Sequence, residues 1–414
     1  MEKKPPLLVL ATLYAIYFLD LAGLAIVFVI FTPLMLEATS PFLPTTATIG
    51  ERNVILGLLV AAYPLTQLFG APILGELSDR FGRKRPLFFS TLFTALTFFF
   101  SAFALSINSL SLLIASRLLG GLTAGNMTIA QAATGDLIDV KKRPRYMALF
   151  NIVGGVSWAI APYGGSLLAD PHHVSWFSSA TPFWTIGVLF LISAFIVSAK
   201  FHDKSLKRTT HLGIGGVFKD LIKTLELPTI SPLILISILS MFGWTMYQNF
   251  MAPYLNQQYG FSQEWIGKTF SYFSLWWFAG GLLANQWLLK KFHSARVNTI
   301  PMLIAAVSVL SFLFFSHSTG MWYASAIANA AQSISISCFF ALFSVMAHPD
   351  IQGKVFGFWN AGFALSSAIS PILAGTLAAI NINLPFSVAF VLLALAFLFY
   401  ARWHAHHKRA SDCV

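Results

Sequence analysis

Charged side chains are scarce in this sequence of 414 residues, in which Asp, Glu, Lys and Arg together make up 10%. Soluble domains average about 25% charged and about 45–50% apolar residues. Here 57% of the residues are hydrophobic, and phenylalanine alone occurs 40 times. The lack of charge therefore excludes an ordinary soluble domain and predicts a polytopic, all-α integral membrane protein.

Cysteines and catalytic motifs are also few. The two cysteines, Cys338 and Cys413, allow neither a disulfide framework nor a thiolate metal site. The sequence has no Gly-x-x-x-x-Gly-Lys-Ser/Thr loop, which excludes the ATP site of a primary pump. It also has no Ser-His-Asp or paired-carboxylate arrangement, and no histidine lies deep in an apolar run. We therefore expect neither an enzyme nor a bound metal or organic cofactor.

Twelve apolar segments are long enough to cross a bilayer core, which needs about 20 apolar residues per helix. The first is far longer than the apolar region of about 7–15 residues in a cleaved signal peptide, so we expect it to remain as a span. The expected spans are 7–36, 53–77, 87–106, 109–137, 145–169, 181–199, 230–256, 263–289, 297–315, 319–346, 354–380 and 384–402.

Positive charge is distributed unevenly among the connecting segments. Every Lys and Arg except Arg52, Arg117 and Lys268 falls on the side that also holds both chain termini. Because cytoplasmic loops are rich in Lys and Arg, this pattern places both termini in the cytoplasm, as in a protein of a bacterial inner membrane. The net charge of +11 is thus a topology signal. The expected partners are the lipid bilayer and a small-molecule substrate, with no nucleic acid, and we expect a monomer.

A polar stretch near the middle divides the chain into two six-span halves. Within it, apolar residues from Val217 to Leu225 recur on one helical face, which predicts a helix lying on the inner leaflet. A simple tether is the alternative. The expected organisation is a first bundle at 1–199, a cytoplasmic linker at 200–229, a second bundle at 230–403 and a cytoplasmic tail at 404–414.

The two halves also resemble each other in sequence. The shift along the chain that aligns Asn151 with Asn360 also aligns Pro162 with Pro371. Parallel repeats of six helices place a substrate site at the interface between the halves, near the middle of the membrane. The repeat therefore predicts two pseudo-symmetric six-helix bundles with a site between them.

The loop between spans two and three carries a dense charge cluster. It reads Gly-Glu-Leu-Ser-Asp-Arg-Phe-Gly-Arg-Lys-Arg-Pro from Gly75 to Pro86. Such a cluster cannot lie in hydrocarbon, so it forms a short loop at one membrane face. Its glycines and alternating charges indicate a shaped joint, and a simple positive-inside loop is the alternative.

This loop resembles the signature of the major facilitator superfamily, Gly-x-Leu-small-Asp-Arg-x-Gly-Arg-Lys/Arg, and the resemblance extends over all twelve spans. It implies two bundles that rock about a central cavity, with this loop latching them on the cytoplasmic side while the cavity faces outward. By the same resemblance, Asp79 would face the amino end of span eleven near Gly353 and Lys354. Arg83 would pair with Asp136 or Asp139. The implied latch residues are Gly75, Asp79, Arg80, Gly82, Arg83 and Asp136.

Three further elements extend the resemblance. Arg117-Leu-Leu-Gly-Gly in span four resembles the Arg-x-x-Gln-Gly element of the same superfamily. The stretch Asp20-Leu-Ala-Gly23 through Pro33 in span one is similar to the tetracycline/proton antiporters and their drug-exporting relatives. Span five resembles their Gly-x-x-x-Gly-Pro-x-x-Gly-Gly element, with Ser157, Ala161 and Ser166 where glycines are expected. Those exporters often carry further acids in later spans, and this sequence has none. The resemblance implies a drug/proton antiporter and leaves the direction of transport open.

Asp20 is the only acid deep in any span, near the middle of the first one. Leaving it ionised there costs at least about 2.5–3.5 kcal/mol on insertion scales, so it is a candidate to take up and release protons. A static structural partner for a neighbouring helix is the alternative. Arg117 is the only deep cation. We expect it to pair with Asp20 until protonation releases it, with a static pair or a bond to the backbone of span one as the other possibilities.

Amide, hydroxyl and aromatic side chains mark a candidate substrate cavity. They suit an uncharged or amphipathic organic molecule better than a metal ion, and helix packing or interfacial belts are the alternative for each of them. The candidate cavity residues are Tyr17, Gln67, Asn126, Thr128, Gln131, Asn151, Trp158, Tyr247, Gln248, Asn249, Trp276, Asn329, Gln332, Trp359 and Asn360.

Together these features predict a proton-coupled secondary active transporter that works by alternating access and exports a drug-like or amphipathic metabolite. The alternative is uptake or export of an anionic nutrient, a carboxylate or a siderophore, with Arg117 binding the anion. A membrane scaffold or sensor without transport is a third possibility, against which the complete loop signature argues.

Overall fold

The computed structural model describes residues 7–139, 142–203, 230–315, 318–347 and 349–412, and every regular element within these ranges is helical. In chain order the helices are α1 (Leu7–Leu36), α2 (Ile49–Phe81), α3 (Lys84–Ser106), α4 (Leu110–Leu122), α5 (Asn126–Leu137), α6 (Arg143–Leu168), α7 (Thr181–Lys200), α8 (Ser231–Tyr259), α9 (Gln263–Leu283), α10 (Ser294–Ser311), α11 (Ser318–Met346), α12 (Pro349–Ile380) and α13 (Leu384–Asp412). A π-helical segment, Ala284–Leu288, and a short turn, Leu289–Lys291, continue α9, and a 3-10 segment, Phe312–Phe314, continues α10.

The predicted twelve-span, all-α fold is confirmed. Eleven segments of the described chain are long and apolar enough to cross a membrane, and they coincide with eleven of the expected spans. The remaining expected span, 263–289, is helical from Gln263 onward. It is less apolar because it carries Glu264 and Lys268 near its start and two amides near its end.

Span four differs from the expectation because it is not one helix. α4 ends at Leu122, and α5 begins at Asn126. Between them the N–H of Thr123 donates to the carbonyls of Leu119 and Gly120, a tightening that is common at helix ends. Glycine is among the poorest helix formers, and three glycines, Gly120, Gly121 and Gly125, make this segment easy to break.

The last helix extends beyond the expected span. α13 runs to Asp412, so the residues expected in the tail continue the helix within the described chain. The helix can continue past the apolar span because its backbone N–H and C=O groups bond to each other within the segment. The helix expected within the linker, between Val217 and Leu225, lies outside the described residues.

Contacts within the chain define two compact units. Unit 1 consists of the described residues of Met1–Thr48, Leu59–Ile214 and Ser262–Ser271, and unit 2 of those of Ile49–Leu58, Gly215–Phe261 and Tyr272–Val414. The first turns of α2 thus belong to unit 2, and the first turns of α9 belong to unit 1.

In unit 1, α1 packs against α5, α6 and α7, and α3 packs against α4 and α7. Stacked phenylalanines fill the space between these helices, with the ring centroids of Phe31 and Phe183 5.7 Å apart. The start of α9 joins this unit closely, because a Cβ on Gly267 would lie 2.8 Å from the carbonyl oxygen of Pro162. Gln263 also donates from Nε2 to the carbonyl of Ser166 at 3.3 Å.

In unit 2, α8 packs against α12 and α13, and α10 packs against α11 and α13. The start of α2 meets α12 backbone to backbone, because a Cβ on Gly57 would clash with the carbonyl of Pro371. Likewise, a Cβ on Gly375 would lie 2.7 Å from the carbonyl oxygen of Asn53. Gln257 donates from Nε2 to the side-chain oxygen of Asn53 at 2.8 Å, which ties α8 to the same contact.

Candidate functional site

Asp20 lies in the interior of unit 1, and its side chain is 6% exposed. α1 carries it there because the helix is apolar on every side and packs against three neighbours. Asn126 donates from its side-chain Nδ2 to Oδ1 of Asp20 at 3.2 Å. The buried acid of α1 is therefore bonded to the first residue of α5.

The break in span four explains how Asn126 reaches this position. α5 begins at Asn126, so the residue whose side chain bonds to Asp20 lies at the start of a helix rather than inside one. A continuous helix through Thr123 and Gly125 would place no helix end at this depth. The break thus supplies the acid with a polar neighbourhood inside an apolar bundle.

Asn126 is itself held by hydroxyl groups of α3. Its Nδ2 donates to Oγ1 of Thr94 at 2.9 Å, and its Oδ1 accepts from Oγ of Ser90 at 2.6 Å. Asn126 is 1% exposed, Thr94 is 2% exposed and Ser90 is 1% exposed. We call Asp20, Asn126, Ser90, Thr91 and Thr94 the Asp20 cluster. Asn126 was expected to line a substrate cavity, and in this structure its amide is enclosed and bonded within the Asp20 cluster.

The predicted pairing of Asp20 with Arg117 is not formed. Within the described chain, no ion pair joins the two side chains, and the guanidinium of Arg117 lies over the ring of Tyr63, 4.7 Å from its centroid. Arg117 is 4% exposed. Its Nε has no hydrogen-bond partner among the described residues. Tyr63 interacts electrostatically with both Asp20 and Arg117, so the ring connects the acid to the cation.

Four of the predicted latch residues, Asp79, Gly82, Arg83 and Asp136, lie together in unit 1 where α2 ends and α3 begins, whereas Arg80 pairs with Glu76. Arg83 bonds from Nη1 to Oδ1 of Asp79 at 2.7 Å and from Nε to Oδ2 of Asp136 at 2.9 Å. Ser78 accepts a further bond from Nη1 of Arg83 at 2.7 Å. The expected partner region of Asp79 near Gly353 and Lys354 lies outside the residues whose side chains are described. Arg83 is therefore the centre of this cluster.

Asp203 completes the cluster and was missed in the sequence. Its Oδ1 accepts from the backbone N–H groups of Arg83 at 2.8 Å and Lys84 at 2.9 Å, where α3 begins. Gly82 adopts a φ of +84°, and a Cβ on it would lie 2.6 Å from Oδ2 of Asp203. Glycine is required at Gly82 for both reasons. The only signal in the sequence was an acid just after span six on the same membrane face.

The candidate cavity residues differ widely in exposure. Those buried are Tyr17, Asn126, Tyr247, Asn329, Gln332 and Trp359. Those half-buried are Gln67, Gln131, Trp158, Gln248 and Asn249. Those exposed are Thr128, Asn151, Trp276 and Asn360. The half-buried and exposed candidates are therefore accessible in this structure, whereas the buried candidates are enclosed by other residues.

The buried candidates of unit 2 belong to a packed interior. The ring of Tyr247 lies 5.0 Å from Trp244 and 5.4 Å from Phe312 between centroids. Enclosed polar atoms of three of them, Oη of Tyr247, Oε1 of Gln332 and Nε1 of Trp359, and Nδ2 of the half-buried Asn249 have no hydrogen-bond partner among the described residues. Buried polar atoms are almost always bonded, so these four are exceptions. Each of them has a hydrogen-bonding position left for a bound molecule if the interior opens.

Comparison with known proteins gives a consistent result. The sequence profile of the Major Facilitator Superfamily matches residues 13–360. Multidrug resistance protein 1 of Bacillus subtilis (strain 168) is 25% identical over 385 residues, which cover 89% of this chain and 93% of that protein. Tetracycline resistance protein, class H, of Pasteurella multocida is 37% identical over 134 residues, which cover 31% of this chain and only 33% of that protein.

Solved structures share the fold. A bacterial homologue of the human lysosomal transporter Spinster, in an inward-facing and unoccupied conformation, matches with a TM-score of 0.76 at 16% identity and 96% coverage of each chain. The D-xylose-proton symporter matches with a TM-score of 0.73 at 16% identity, covering 95% of this chain and 96% of that one. Identities this low establish the fold alone.

Proposed function

Because the chain belongs to the Major Facilitator Superfamily, we propose that this multi-pass membrane transporter is driven by protons and exports a drug-like or amphipathic organic molecule. Transport would follow alternating access, in which the bundles expected at 1–199 and 230–403 rock about a central site. The coupled ion would be the proton, with no further cofactor.

The carboxyl group of Asp20 carries the proton-coupling part of this proposal. It is buried in α1, and the neighbour bonded to it is a neutral amide rather than a cation. An uncompensated charge at this depth is costly, so the group gains from protonation while it is enclosed. When the site opens to water on one side, hydration favours the charged form, and the proton leaves on that side. This alternation couples proton movement to the conformational change.

Two observations support an amphipathic organic substrate. The relatives described above are named for resistance to tetracycline or to multiple drugs. In unit 2, aromatic rings pack against Tyr247, and Oη of Tyr247 and Oε1 of Gln332 have no hydrogen-bond partner among the described residues. A binding site that is mostly apolar with a few polar groups suits a drug-sized molecule with separate apolar and polar parts.

The distribution of Lys and Arg supports a bacterial inner-membrane location with both termini in the cytoplasm. The matched relatives named above are bacterial proteins. We propose a monomer, since each half-bundle repeat already supplies one side of the expected site.

The proposal is tested by reconstituting the purified protein in proteoliposomes with an acidic interior. Tetracycline, a fluoroquinolone and ethidium are offered from outside, and accumulation is measured with and without a protonophore. Antiport predicts accumulation of at least one compound that depends on the acidic interior and collapses with the protonophore. Absence of any gradient-dependent flux, or accumulation driven only by an acidic exterior, would contradict drug/proton antiport.

Arg117 supports a second candidate, transport of an organic anion. It is a buried cation that forms no ion pair within the described chain, and its Nε has no hydrogen-bond partner there. Such a group binds a carboxylate through charge-assisted hydrogen bonds. Dicarboxylates and a carboxylate siderophore are tested in the same vesicles with an acidic exterior. Accumulation that Arg117→Lys abolishes, together with no flux of tetracycline, the fluoroquinolone or ethidium, would favour this candidate over drug export.

A further inference from the structure

Three neighbours form hydrogen bonds with the side-chain amide of Asn126 and occupy both its donors and its acceptor. One N–H of Nδ2 points to Asp20 and the other to Oγ1 of Thr94, while Oδ1 accepts from Ser90. A side-chain amide carries two N–H donors on one atom and an acceptor on the other. Rotating it by half a turn would bring its oxygen against the carboxylate, so that two acceptors would face each other. The ionised carboxylate therefore keeps the donor end of Asn126 toward Asp20, and the bonds to α3 hold the amide in place.

We infer that Asn126 is a positioning residue that holds the carboxylate form of Asp20 and sets the pH at which this group exchanges its proton. The inference rests on the proposed proton-coupling role of Asp20. A donor bonded to a carboxylate favours the charged form, and loss of the donor favours the protonated form. The sequence suggested a substrate contact for Asn126, whereas the structure gives it no exposed polar surface.

Other titratable groups act on Asp20 as well, and they must stay constant in a test. Within the described chain, Tyr17 of α1 and Tyr63 of α2 interact electrostatically with it, and the guanidinium of Arg117 of α4 lies over the ring of Tyr63. From α6, Ser157 bonds to the backbone carbonyl of Phe18 rather than to the acid. Asn126 is neutral, so changing it to another neutral residue leaves these charges in place.

The test variant is Asn126→Leu, which keeps the approximate volume and removes the donor. Ser90 and Thr91 retain bonds to the carbonyl of Leu87, so their hydroxyl groups stay bonded in the variant. The matched control is Ser116→Ala. It removes another buried polar bond between α3 and α4, from Ser116 to Ser101 at 2.8 Å, without touching the Asp20 cluster.

Infrared difference spectroscopy of the purified full-length protein follows protonation of Asp20 directly. The carboxylic C=O band that titrates in the wild type and is lost in Asp20→Asn identifies the group. We expect Asn126→Leu to move the midpoint of this band by about one pH unit or more toward higher pH, as loss of a bond to a charged group implies. Ser116→Ala is expected to leave the midpoint unchanged.

An unchanged midpoint in Asn126→Leu would overturn the positioning role even if Asp20→Asn still abolishes proton-driven transport. A wild-type protein in which no band assigned to Asp20 titrates would instead overturn the proposed proton role. If Asn126→Leu fails to fold, the double variant Ser90→Ala/Thr94→Val retains Asn126 and removes the two shorter of its three hydroxyl bonds to α3, the third being from Thr91 at 3.4 Å. A shift in the same direction supports the inference, and no shift in that variant contradicts it.

Discussion

The guanidinium group of Arg117 lies over the ring of Tyr63, and its central carbon is 4.7 Å from the ring centroid. Both residues are buried in unit 1. A desolvated cation over an aromatic face is stabilised by the negative potential of the ring. This contact takes the place of the ion pair with Asp20 that the sequence suggested.

Replacing Tyr63 tests this contact. Tyr63→Phe keeps the ring face and is expected to preserve the thermal midpoint of the protein in detergent. Tyr63→Leu removes the face and should destabilise by about 2 kcal/mol or more, through the lost cation–π interaction and lost packing. Equal midpoints for the Phe and Leu variants would show that the ring face does not stabilise Arg117.

The two acids bonded to Arg83 should contribute unequally. The side chain of Asp136 is 17% exposed, and that of Asp79 is 36% exposed. Exposed ion pairs contribute about 0–1 kcal/mol, and less exposed ones cost more to break. We expect Asp136→Asn to lower the thermal midpoint more than Asp79→Asn does. Glu76→Gln is the control, because its partner Arg80 is 49% exposed. A larger drop in the thermal midpoint for Asp79→Asn than for Asp136→Asn would contradict this prediction.

Asp203 should stabilise the start of α3. Its carboxylate accepts from two backbone N–H groups that the helix itself cannot satisfy. Asp203→Ala is expected to destabilise by about 1 kcal/mol, as loss of a helix cap does, and Asp203→Asn to be milder because its side-chain oxygen still accepts. Thermal unfolding of the two variants measures the difference. If His202→Ala, at the neighbouring exposed position, has the same effect as Asp203→Ala, the cap is unimportant.

The spans were predictable because each is a long apolar segment, and the agreement of α1 with the expected 7–36 follows from that local property. The hydrogen-bond partners of the buried polar residues were not predictable from the sequence. Asn126 and Asp20 meet across 106 positions of the chain, and no local pattern in the sequence states which amide bonds to which acid. The same holds for Asp203, whose acceptor role depends on where the end of α7 lies relative to α3.

The break in span four was also missed for a physical reason. The expected span 109–137 is one continuous segment of suitable length, and a pattern read over a long segment does not register a short interruption. Packing favours the interruption: a Cβ on Gly125 would lie 2.6 Å from the Cβ of Leu74 in α2. The close approach of α2 to the interrupted segment is visible only in the fold.

Glycines at the contact of α2 with α12 should be intolerant of a methyl group. A Cβ on Gly375 would lie 2.7 Å from the carbonyl oxygen of Asn53, whereas a Cβ on Gly357 of the same helix meets nothing within 4 Å. Overpacking costs about 1–3 kcal/mol. We therefore expect Gly375→Ala to lower both stability and transport, and Gly357→Ala to leave both near wild type. Equal behaviour of the two variants would contradict the close contact.

The central claim is that Asp20 carries the coupled proton. Its most direct test is substrate-induced proton release from purified protein in weakly buffered detergent, followed with a pH-sensitive dye, using a compound that the vesicle assay identifies. Wild-type protein should release protons in proportion to the substrate bound. Asp20→Asn should bind the same compound and release none. Undiminished proton release by Asp20→Asn would contradict the account.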